Sequence, residues 1–318
     1  MKMMKSVFVG RAVVVILFLF FISGTGFQLQ AKAAGGACKK ITKAIKKYNQ
    51  FKAKSEYWEE VANCNNISNP KTKKACLKKA KRHLKDGIEE SSDIFDAQLD
   101  VCGDLGKGVY TPSIDPSVFT TTIDNKYFPL VPGTTYVYNG ETDTGTEVDK
   151  VSVLTNTIML MGVNCRVVRD TVYVDGKIVE DTFDYYAQDK DGNVWYFGEE
   201  SKTYNKKGVL VDLEGSWLAG VNGAQPGIIM EGNPQKGDIY RQEYSAGNAE
   251  DIAKVVSLNE TVTVSGKTYT NCLKTKEYSP LEPDVVANKY YAPNVGTVHE
   301  QAIKGEKEIV DLVEIKTQ

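Results

Sequence analysis

The sequence predicts an α+β protein, with a disulfide-linked helical hairpin at the front and a mainly antiparallel β half-barrel or barrel behind it. Three observations lead to this fold class. Apolar residues recur at helical spacing up to residue 106, four cysteines in that stretch are symmetrically spaced, and apolar and polar residues alternate after residue 133. The predicted boundaries are 34–106 for the hairpin, 107–133 for a linker leading into the β-domain, and 134–318 for the β-domain.

Residues 1–33 have the pattern of a secretory signal peptide. Lys2, Lys5 and Arg11 surround the start of an apolar run at 13–21, and small and polar residues then lead to Ala33, where we expect cleavage. The apolar run is too short to predict a membrane span, so no stable span is expected after the signal is removed. The protein is therefore expected to be exported, to the periplasm or the exterior.

The charge of the chain changes between its two parts. Residues 34–105 contain 15 Lys and Arg against 10 Asp and Glu, whereas residues 106–318 contain 20 against 31. The basic front indicates either a solvated helix surface or attraction to anionic envelope polymers. Because an exported protein does not meet intracellular nucleic acid, no nucleic-acid partner is expected.

The helical front contains four cysteines in a mirror-symmetric order: Cys38, Cys64, Cys76 and Cys102. Asn69 and Pro70 lie between two amphipathic stretches, as a helix cap and a first helical residue would. In an antiparallel pair with its turn near Pro70, the equal spacing brings Cys64 opposite Cys76 and Cys38 opposite Cys102. We therefore predict these two disulfides rather than a zinc site, since zinc motifs favour closely spaced cysteine pairs.

The back of the chain predicts a series of short antiparallel strands. Turn sequences with glycine occur at 174–177, 190–193 and 265–267, and so many strands favour a curled sheet or a barrel. The predicted strands are 134–139, 147–155, 157–161, 164–174, 178–187, 193–198, 208–213, 238–244, 252–258, 260–264, 267–277, 286–291, 296–303 and 307–315.

The sequence does not match the motifs tested for metal binding, cofactor binding and catalysis. The acidic segment around Gly192 does not fit a helix-loop-helix calcium loop, because the first and last ligand positions would be Ala187 and Gly198. It instead predicts a hairpin turn. No catalytic residue, metal or cofactor is therefore predicted. Cys165 and Cys272 are either buried thiols or a third disulfide, and the sequence leaves both open.

Candidate ligand-binding residues follow from strand alternation. Polar and aromatic side chains share a face on several strands, which indicates either exposed sheet faces or a polar concave side that binds a ligand. The segment 214–238, rich in glycine and apolar residues, is interpreted as a flap over the barrel mouth or as a plug for its open end. The candidates are Glu180, Asp184, Tyr186, Trp217, Met230, Arg241, Glu243, Lys289 and Tyr291.

The stretches "DNKYFPLVPGTTYVY", "DYYAQDKDGNVWYFGEES", "YRQEYSAGNAEDIA" and "NKYYAPNVGTVHE" resemble a widespread group of exported bacterial proteins without an assigned activity. The resemblance implies a Cys-bearing helical front segment joined to a β-domain, and it covers nearly all of the mature chain. More loosely, the chain is similar to the curled-sheet lipoprotein carriers of the bacterial envelope, which hold hydrophobic ligands. The charged candidate interior of this chain departs from that pattern.

The sequence therefore predicts an exported, non-catalytic binding protein with an unknown small molecule or envelope polymer as its partner. One alternative is a hydrolase of envelope glycans that uses carboxylates such as Glu180 and Asp184. A second alternative is a surface scaffold protein tethered by its basic hairpin.

Overall fold

A computed structural model describes residues 36–142, 145–305 and 307–317. The predicted signal peptide lies outside the described residues. The chain divides into two compact units, with the division between Val109 and Tyr110. None of the helices in the described part of the chain has the length and apolarity needed to cross a membrane.

The first unit is a pair of long helices, α1 (Ala37–Asn65) and α2 (Pro70–Asp104). The side chain of Asn69 accepts hydrogen bonds from the backbone N–H groups of Lys71 and Thr72, both at 3.0 Å, and Pro70 occupies the first turn of α2. The cap satisfies N–H groups that a helix start otherwise leaves unpaired. The local sequence thus determines where the second helix begins.

Both predicted disulfides, Cys38–Cys102 and Cys64–Cys76, are confirmed. They join the two ends of α1 to α2 and close loops with sequence separations of 64 and 12 residues. In the chain-entropy model such loops stabilise by roughly 4 and 3 kcal/mol. This matters for two helices that have a small core of their own.

The charges of the hairpin are complementary along its length. Residues 39–54 of α1 contain seven lysines and no acid, and residues 86–104 of α2 contain seven acids and no base. Because the disulfides pair the start of α1 with the end of α2, these two stretches lie beside each other. The excess of positive charge noted in the sequence is therefore concentrated at the turn end of the hairpin, where residues 70–85 lie.

The second unit is an antiparallel sheet of sixteen strands that curls into a nearly closed barrel. This confirms the predicted α+β fold class. In chain order the strands are β1 (Phe119–Thr120), β2 (Thr134–Thr142), β3 (Gly145–Leu160), β4 (Val163–Val174), β5 (Lys177–Asp189), β6 (Val194–Tyr204), β7 (Leu210–Asp212), β8 (Trp217–Leu218), β9 (Gln225–Met230), β10 (Ile239–Arg241), β11 (Glu243–Tyr244), β12 (Ile252–Val264), β13 (Lys267–Tyr278), β14 (Val286–Ala292), β15 (Gly296–Lys304) and β16 (Glu308–Thr317).

The barrel comes close to closing at one extended segment, residues 239–244. Its first half, β10, pairs with β12, and its second half, β11, pairs with β9. The first and last strands of the sheet path are therefore consecutive in the chain. A sheet whose two edges meet in this way leaves few unpaired edge groups.

Two predicted strand breaks are wrong. The sequence separates 147–155 from 157–161 and 252–258 from 260–264, but β3 and β12 each continue through the break. The register shifts between Val153 and Thr157 and between Ser257 and Glu260. The irregular residues are bulges, which interrupt the alternation of a strand without ending it.

The flap predicted at 214–238 is also wrong. This segment forms β8 and β9, which both pair with β6 and extend the barrel wall. Two of its glycines are required by close backbone contacts: a side chain at Gly227 would overlap the backbone of Gln242, and one at Gly232 would overlap the backbone of Asp191. Glycine in a strand is typical of such close approaches.

Part of the segment predicted as a linker, from Phe119 onward, packs against the barrel. Phe119 makes edge-to-face contacts with Trp195 and Phe197, and β1 pairs with β5. The side-chain amide of Asn125 donates to the carbonyl oxygens of Gly192 and Glu231 at 2.8 and 3.1 Å. These contacts place residues 119–133 against one side of the barrel.

Candidate functional site

The interior of the barrel contains a cavity of about 110 Å³. Its wall combines polar and apolar groups that come from most of the long strands. The titratable lining residues other than tyrosine are Asp149, Asp170, Glu180, Asp184, Glu199, Lys289 and Glu300. The aromatic lining residues are Phe128, Tyr136, Tyr138, Tyr186 and Tyr291.

Strand β5 contributes one continuous row to this wall. Glu180, Thr182, Asp184 and Tyr186 all line the cavity, as alternation along the strand predicts. The hydroxyl of Thr182 donates to Glu180 at 3.1 Å. The hydroxyl of Tyr196, on β6, donates to Asp184 at 2.6 Å. The polar groups of β5 are therefore held in fixed positions by hydrogen bonds.

Glu199 lies directly opposite Asp184 in the pairing of β5 with β6. Only 2% of its surface is exposed, and it lines the cavity. Within the described part of the chain, its carboxyl group has neither a hydrogen bond nor an ion pair. Two carboxyl groups that face each other across a sheet destabilise it when both are charged, so this pair is unusual.

A second pair of acids, Asp149 on β3 and Asp170 on β4, extends the acidic wall. Their carboxyl groups are close enough to hydrogen-bond to each other, which requires that one of them carries a proton. Burial, partly offset by that hydrogen bond, raises the pKa of Asp149 to about 6. Burial and the charge of Asp149 raise the pKa of Asp170 well above its usual value.

The pKa values of the facing acids are also raised. The pKa of Asp184 is raised to about 8 by burial and by the charge of Asp170, against the lowering effect of the hydrogen bond from Tyr196. Burial, together with the charges of Glu243 and Asp184, raises the pKa of Glu199 well above its usual value. Near neutral pH these groups therefore tend to hold their protons.

Lys289, on β14, supplies the positive charge of the cavity wall. It is 4% exposed and its Nζ lies 3.2 Å from Glu277 and 3.5 Å from Glu300. Glu277 also accepts hydrogen bonds from Thr275 and Tyr291, at 2.7 and 2.6 Å. Burial opposes the lysine charge, but the two carboxylates outweigh it and raise the pKa of Lys289. This ammonium group is thus already engaged by two acids.

Part of the apolar wall comes from the segment before β2. Phe128, Pro129 and Leu130 line the cavity, together with Val295 and the first two residues of β15, Gly296 and Thr297. The hydroxyl of Tyr136 donates to the carbonyl of Pro129 at 3.1 Å. The backbone N–H of Asn294 donates to the carbonyl of Lys126 at 2.6 Å. These bonds tie the two segments to each other and to the barrel.

Five of the nine residues that the sequence singled out line the cavity: Glu180, Asp184, Tyr186, Lys289 and Tyr291. The other four do not line it. Trp217 is buried and donates its indole N–H to Glu243 at 2.9 Å, and Met230 is fully buried in the core. The guanidinium of Arg241 lies over the rings of Tyr110 and Tyr244, at 5.6 and 4.5 Å from their centroids.

Sequence reasoning missed four acids of the wall, namely Asp149, Asp170, Glu199 and Glu300. Each lies within or next to a predicted strand, so alternation gives a face for each. The sequence does not show the order of the strands around the barrel. That order decides which face of each strand points into the barrel. An acid at an inward position beside valines, such as Asp170 after Val167 and Val168, was the available signal.

The acidic turn around Gly192 is the β5–β6 hairpin turn, as predicted. Asp189 accepts hydrogen bonds from the backbone of Asp191 and Asn193 at 2.9 Å, and from the indole N–H of Trp195 at 2.8 Å. Its carboxylate oxygens are thus used to shape the turn. Across the described residues, no group of three or more His, Cys, Asp and Glu side chains is arranged to hold a metal ion.

The two remaining cysteines are buried free thiols rather than a third disulfide. Cys165 lies on β4 and Cys272 on β13, and neither is exposed. Burial raises the pKa of Cys165 to about 12. Both therefore behave as inert core residues, since the thiolate is the reactive form.

No family model and no curated protein matches the chain. Among solved structures, it is similar to a candidate exported protein with a YmcC-like fold from Bacteroides fragilis (16% identity, TM-score 0.38, 60% of this chain and 99% of that one). It is also similar to a candidate lipoprotein from Parabacteroides distasonis (16%, 0.35, 60% and 99%) and a β-barrel-like protein from Brucella abortus (12%, 0.31, 59% and 98%). At these values the similarity carries no argument about function.

Proposed function

We propose that this chain is an exported, non-catalytic binding protein that holds a small ligand inside its barrel. The observation that carries this proposal is the interior cavity of about 110 Å³, whose wall combines buried polar side chains with aromatic rings. Cavities that combine an apolar wall with a few fixed polar groups are typical ligand sites. Held in place by hydrogen bonds, the side chains of β5 and β6 are organised before a ligand arrives.

Export is supported by the two disulfides of the hairpin and by the signal-peptide pattern in the sequence. Disulfides form and persist in oxidising compartments. The periplasm or the exterior is therefore the proposed location, and the ligand is a molecule found there.

A hydrolase of envelope glycans is less well supported. Such an enzyme places two carboxyl groups on either side of a glycosidic bond, so its site must hold at least two sugar rings. The cavity of about 110 Å³ is below the roughly 300 Å³ at which ordinary ligand pockets begin. Its size favours a small ligand over a segment of polymer, although Asp184 and Glu180 lie in the wall.

The test of this proposal is to look for a molecule that co-purifies with the protein. The full chain is exported with its own signal, purified without denaturation, and analysed by native mass spectrometry and by extraction of small molecules. Two variants fill the cavity from different sides, Val310→Trp and Thr297→Trp. The matched control is Val313→Trp, which changes a 38% exposed residue on the same strand as Val310.

We expect a small molecule on the wild type and on Val313→Trp, and a loss of at least about tenfold in its occupancy on both cavity variants. Thermal unfolding checks that the variants are folded. Equal occupancy on folded cavity variants would contradict binding inside the barrel. If the wild-type protein neither carries a molecule nor gains thermal stability from any member of a metabolite panel, the proposal is wrong.

A further inference from the structure

The charges around the cavity are unbalanced. Six carboxyl groups line it, and Lys289 is the one basic lining residue among those that the structure describes. That lysine already pairs with Glu300, and with Glu277 behind the wall. Buried charges persist only when they are paired, so a set of acids with one shared cation favours either protons or an added cation.

Glu199 is the acid that most directly indicates a missing partner. It is 2% exposed and lines the cavity, and its carboxyl makes no hydrogen bond or ion pair among the described residues, where its charged neighbours are other acids such as Glu243 and Asp184. The hydroxyl of Tyr196 donates to Asp184, which lies opposite Glu199. A buried polar group without a partner costs about 1 to 3 kcal/mol, which a ligand that donates hydrogen bonds would offset.

The aromatic rings of the wall suit a cation with an organic body. The ring of Tyr186 is stacked on that of Tyr196, with ring centroids 4.8 Å apart and an interplanar angle of 18°. The ring of Phe128 contacts the Tyr186 ring edge-on, with centroids 5.5 Å apart. Ring faces attract ammonium groups, and the attraction is strongest where water is excluded. Ile229 and Val151 add hydrocarbon surface for an alkyl chain.

We propose that the ligand of the barrel is a small organic cation, a protonated amine, whose ammonium group binds between Asp184 and Glu199. Its alkyl part contacts Phe128, Ile229 and Val151. This inference rests on the proposed binding function and narrows it to one chemical class. An anion would meet six acids, and a neutral molecule would not offset the charges of Asp184 and Glu199 once they lose their protons.

Binding of an amine in this position must displace protons. Asp184 faces Asp170 on β4 and Tyr196 and Glu199 on β6, and none of these groups is a cation. Burial raises the pKa of Asp184 to about 8. The ligand-free site therefore holds protons at lower pH, and the amine competes with them. The affinity for the amine should rise as pH rises through about 8.

The experiment is isothermal titration calorimetry on the purified full chain, after removal of co-purified small molecules by extensive dialysis at low pH. The probes are 1,4-diaminobutane and butylamine, with 1,4-butanediol as the neutral analogue of the diamine and calcium chloride as the metal. We expect at least one amine to bind about tenfold or more tightly near pH 8 than near pH 6, with release of protons. The diol should bind at least about tenfold more weakly.

The variant that tests the site is Glu199→Gln, and its matched control is Glu200→Gln. Both change one carboxyl to an amide on the same strand, but Glu200 is exposed and points to the other face. Glutamine has the shape of a protonated glutamate, so the fold should tolerate it. We expect about a tenfold or greater loss of amine affinity for Glu199→Gln and none for Glu200→Gln. Asp184→Asn, as a second variant, should show the same loss.

Several outcomes separate this inference from the function on which it rests. If the diol binds as tightly as the amines, if calcium alone binds, or if Glu199→Gln and Asp184→Asn keep full affinity, the amine assignment is wrong. A non-cationic molecule that co-purifies with the wild type but not with Val310→Trp would also overturn it, while leaving the binding function in place. If no molecule of any chemical class binds to the protein, both the amine assignment and the proposed binding function are wrong.

Discussion

The hydroxyl of Tyr196 donates a 2.6 Å hydrogen bond to the carboxyl group of Asp184 inside the barrel. The bond joins neighbouring strands, β5 and β6, at the point where Glu199 faces Asp184. This bond lowers the pKa of Asp184, while burial and the charge of Asp170 raise it. The protonation of the cavity therefore depends on a tyrosine that does not line it.

Replacing this tyrosine should change both stability and titration. For Tyr196→Phe we expect a loss of about 1 kcal/mol in the free energy of unfolding, because the carboxyl group loses its donor. The pKa of Asp184 should rise above about 8, since the bond that lowers it is gone. Carboxyl NMR titration and urea unfolding measure the two effects. Tyr204→Phe, on the same strand, is the control, and an unchanged pKa of Asp184 in Tyr196→Phe would contradict the assignment.

The ligand-free protein should be more stable in mild acid than at neutral pH. The folded-state pKa values of Asp149 and Asp184 are raised, to about 6 and about 8, above the usual value near 4. The folded protein then binds more protons than the unfolded chain, so the free energy of unfolding falls as pH rises between about 4 and 8. Lys289 is protonated in both the folded and the unfolded protein over this range. Its raised pKa therefore makes stability depend on pH only near and above its unfolded value of 10.5.

Urea unfolding at several pH values between about 5 and 8 measures this slope. Asp184→Asn should flatten it, since the amide does not titrate. A free energy of unfolding that rises over this interval in the ligand-free wild type would show that the carboxyl groups are stabilised as anions, contrary to their surroundings.

Loss of the buried ammonium should be costly. For Lys289→Met we expect a decrease of about 3 to 5 kcal/mol in the free energy of unfolding, because Glu277 and Glu300 lose their common partner. The control is Lys304→Met, which removes an exposed pair with Asp284 and should cost about 0 to 1 kcal/mol. Similar losses for the two variants would mean that the buried pairs are not formed.

The six cysteines should fall into two classes in their reaction with a thiol reagent. Without reductant, the native protein should react slowly or not at all with a thiol reagent, because Cys165 and Cys272 are buried. In denaturant, still without reductant, two thiols per chain should react, and the other four cysteines should remain in disulfides. Mass spectrometry of labelled peptides assigns the sites. Rapid labelling of Cys165 in the native state would argue against its buried position on β4.

The helical front could be predicted almost completely from the sequence. The separation along the chain between Cys38 and Cys64 equals that between Cys76 and Cys102, which predicts the disulfide pairing. Asn69 and Pro70 mark the start of the second helix. These signals are local or symmetric, so no knowledge of distant contacts is needed. The segment 214–238 could not be predicted, because Gly227 is required by a close contact with the backbone of Gln242, which only the folded sheet brings together.

The sequence by itself determined the helical hairpin with its two disulfides, the antiparallel strands, and which side chains share a face on each strand. These features follow from helix caps, cysteine spacing and two-residue alternation, which can all be read along the chain. The tertiary structure alone decided that the acids of β3, β4, β5, β6 and β15 meet around one cavity. That meeting requires the ends of the sheet to come together at residues 239–244, through pairings with strands on both sides. Long-range pairing of this kind leaves no periodic trace in the residues that it brings together.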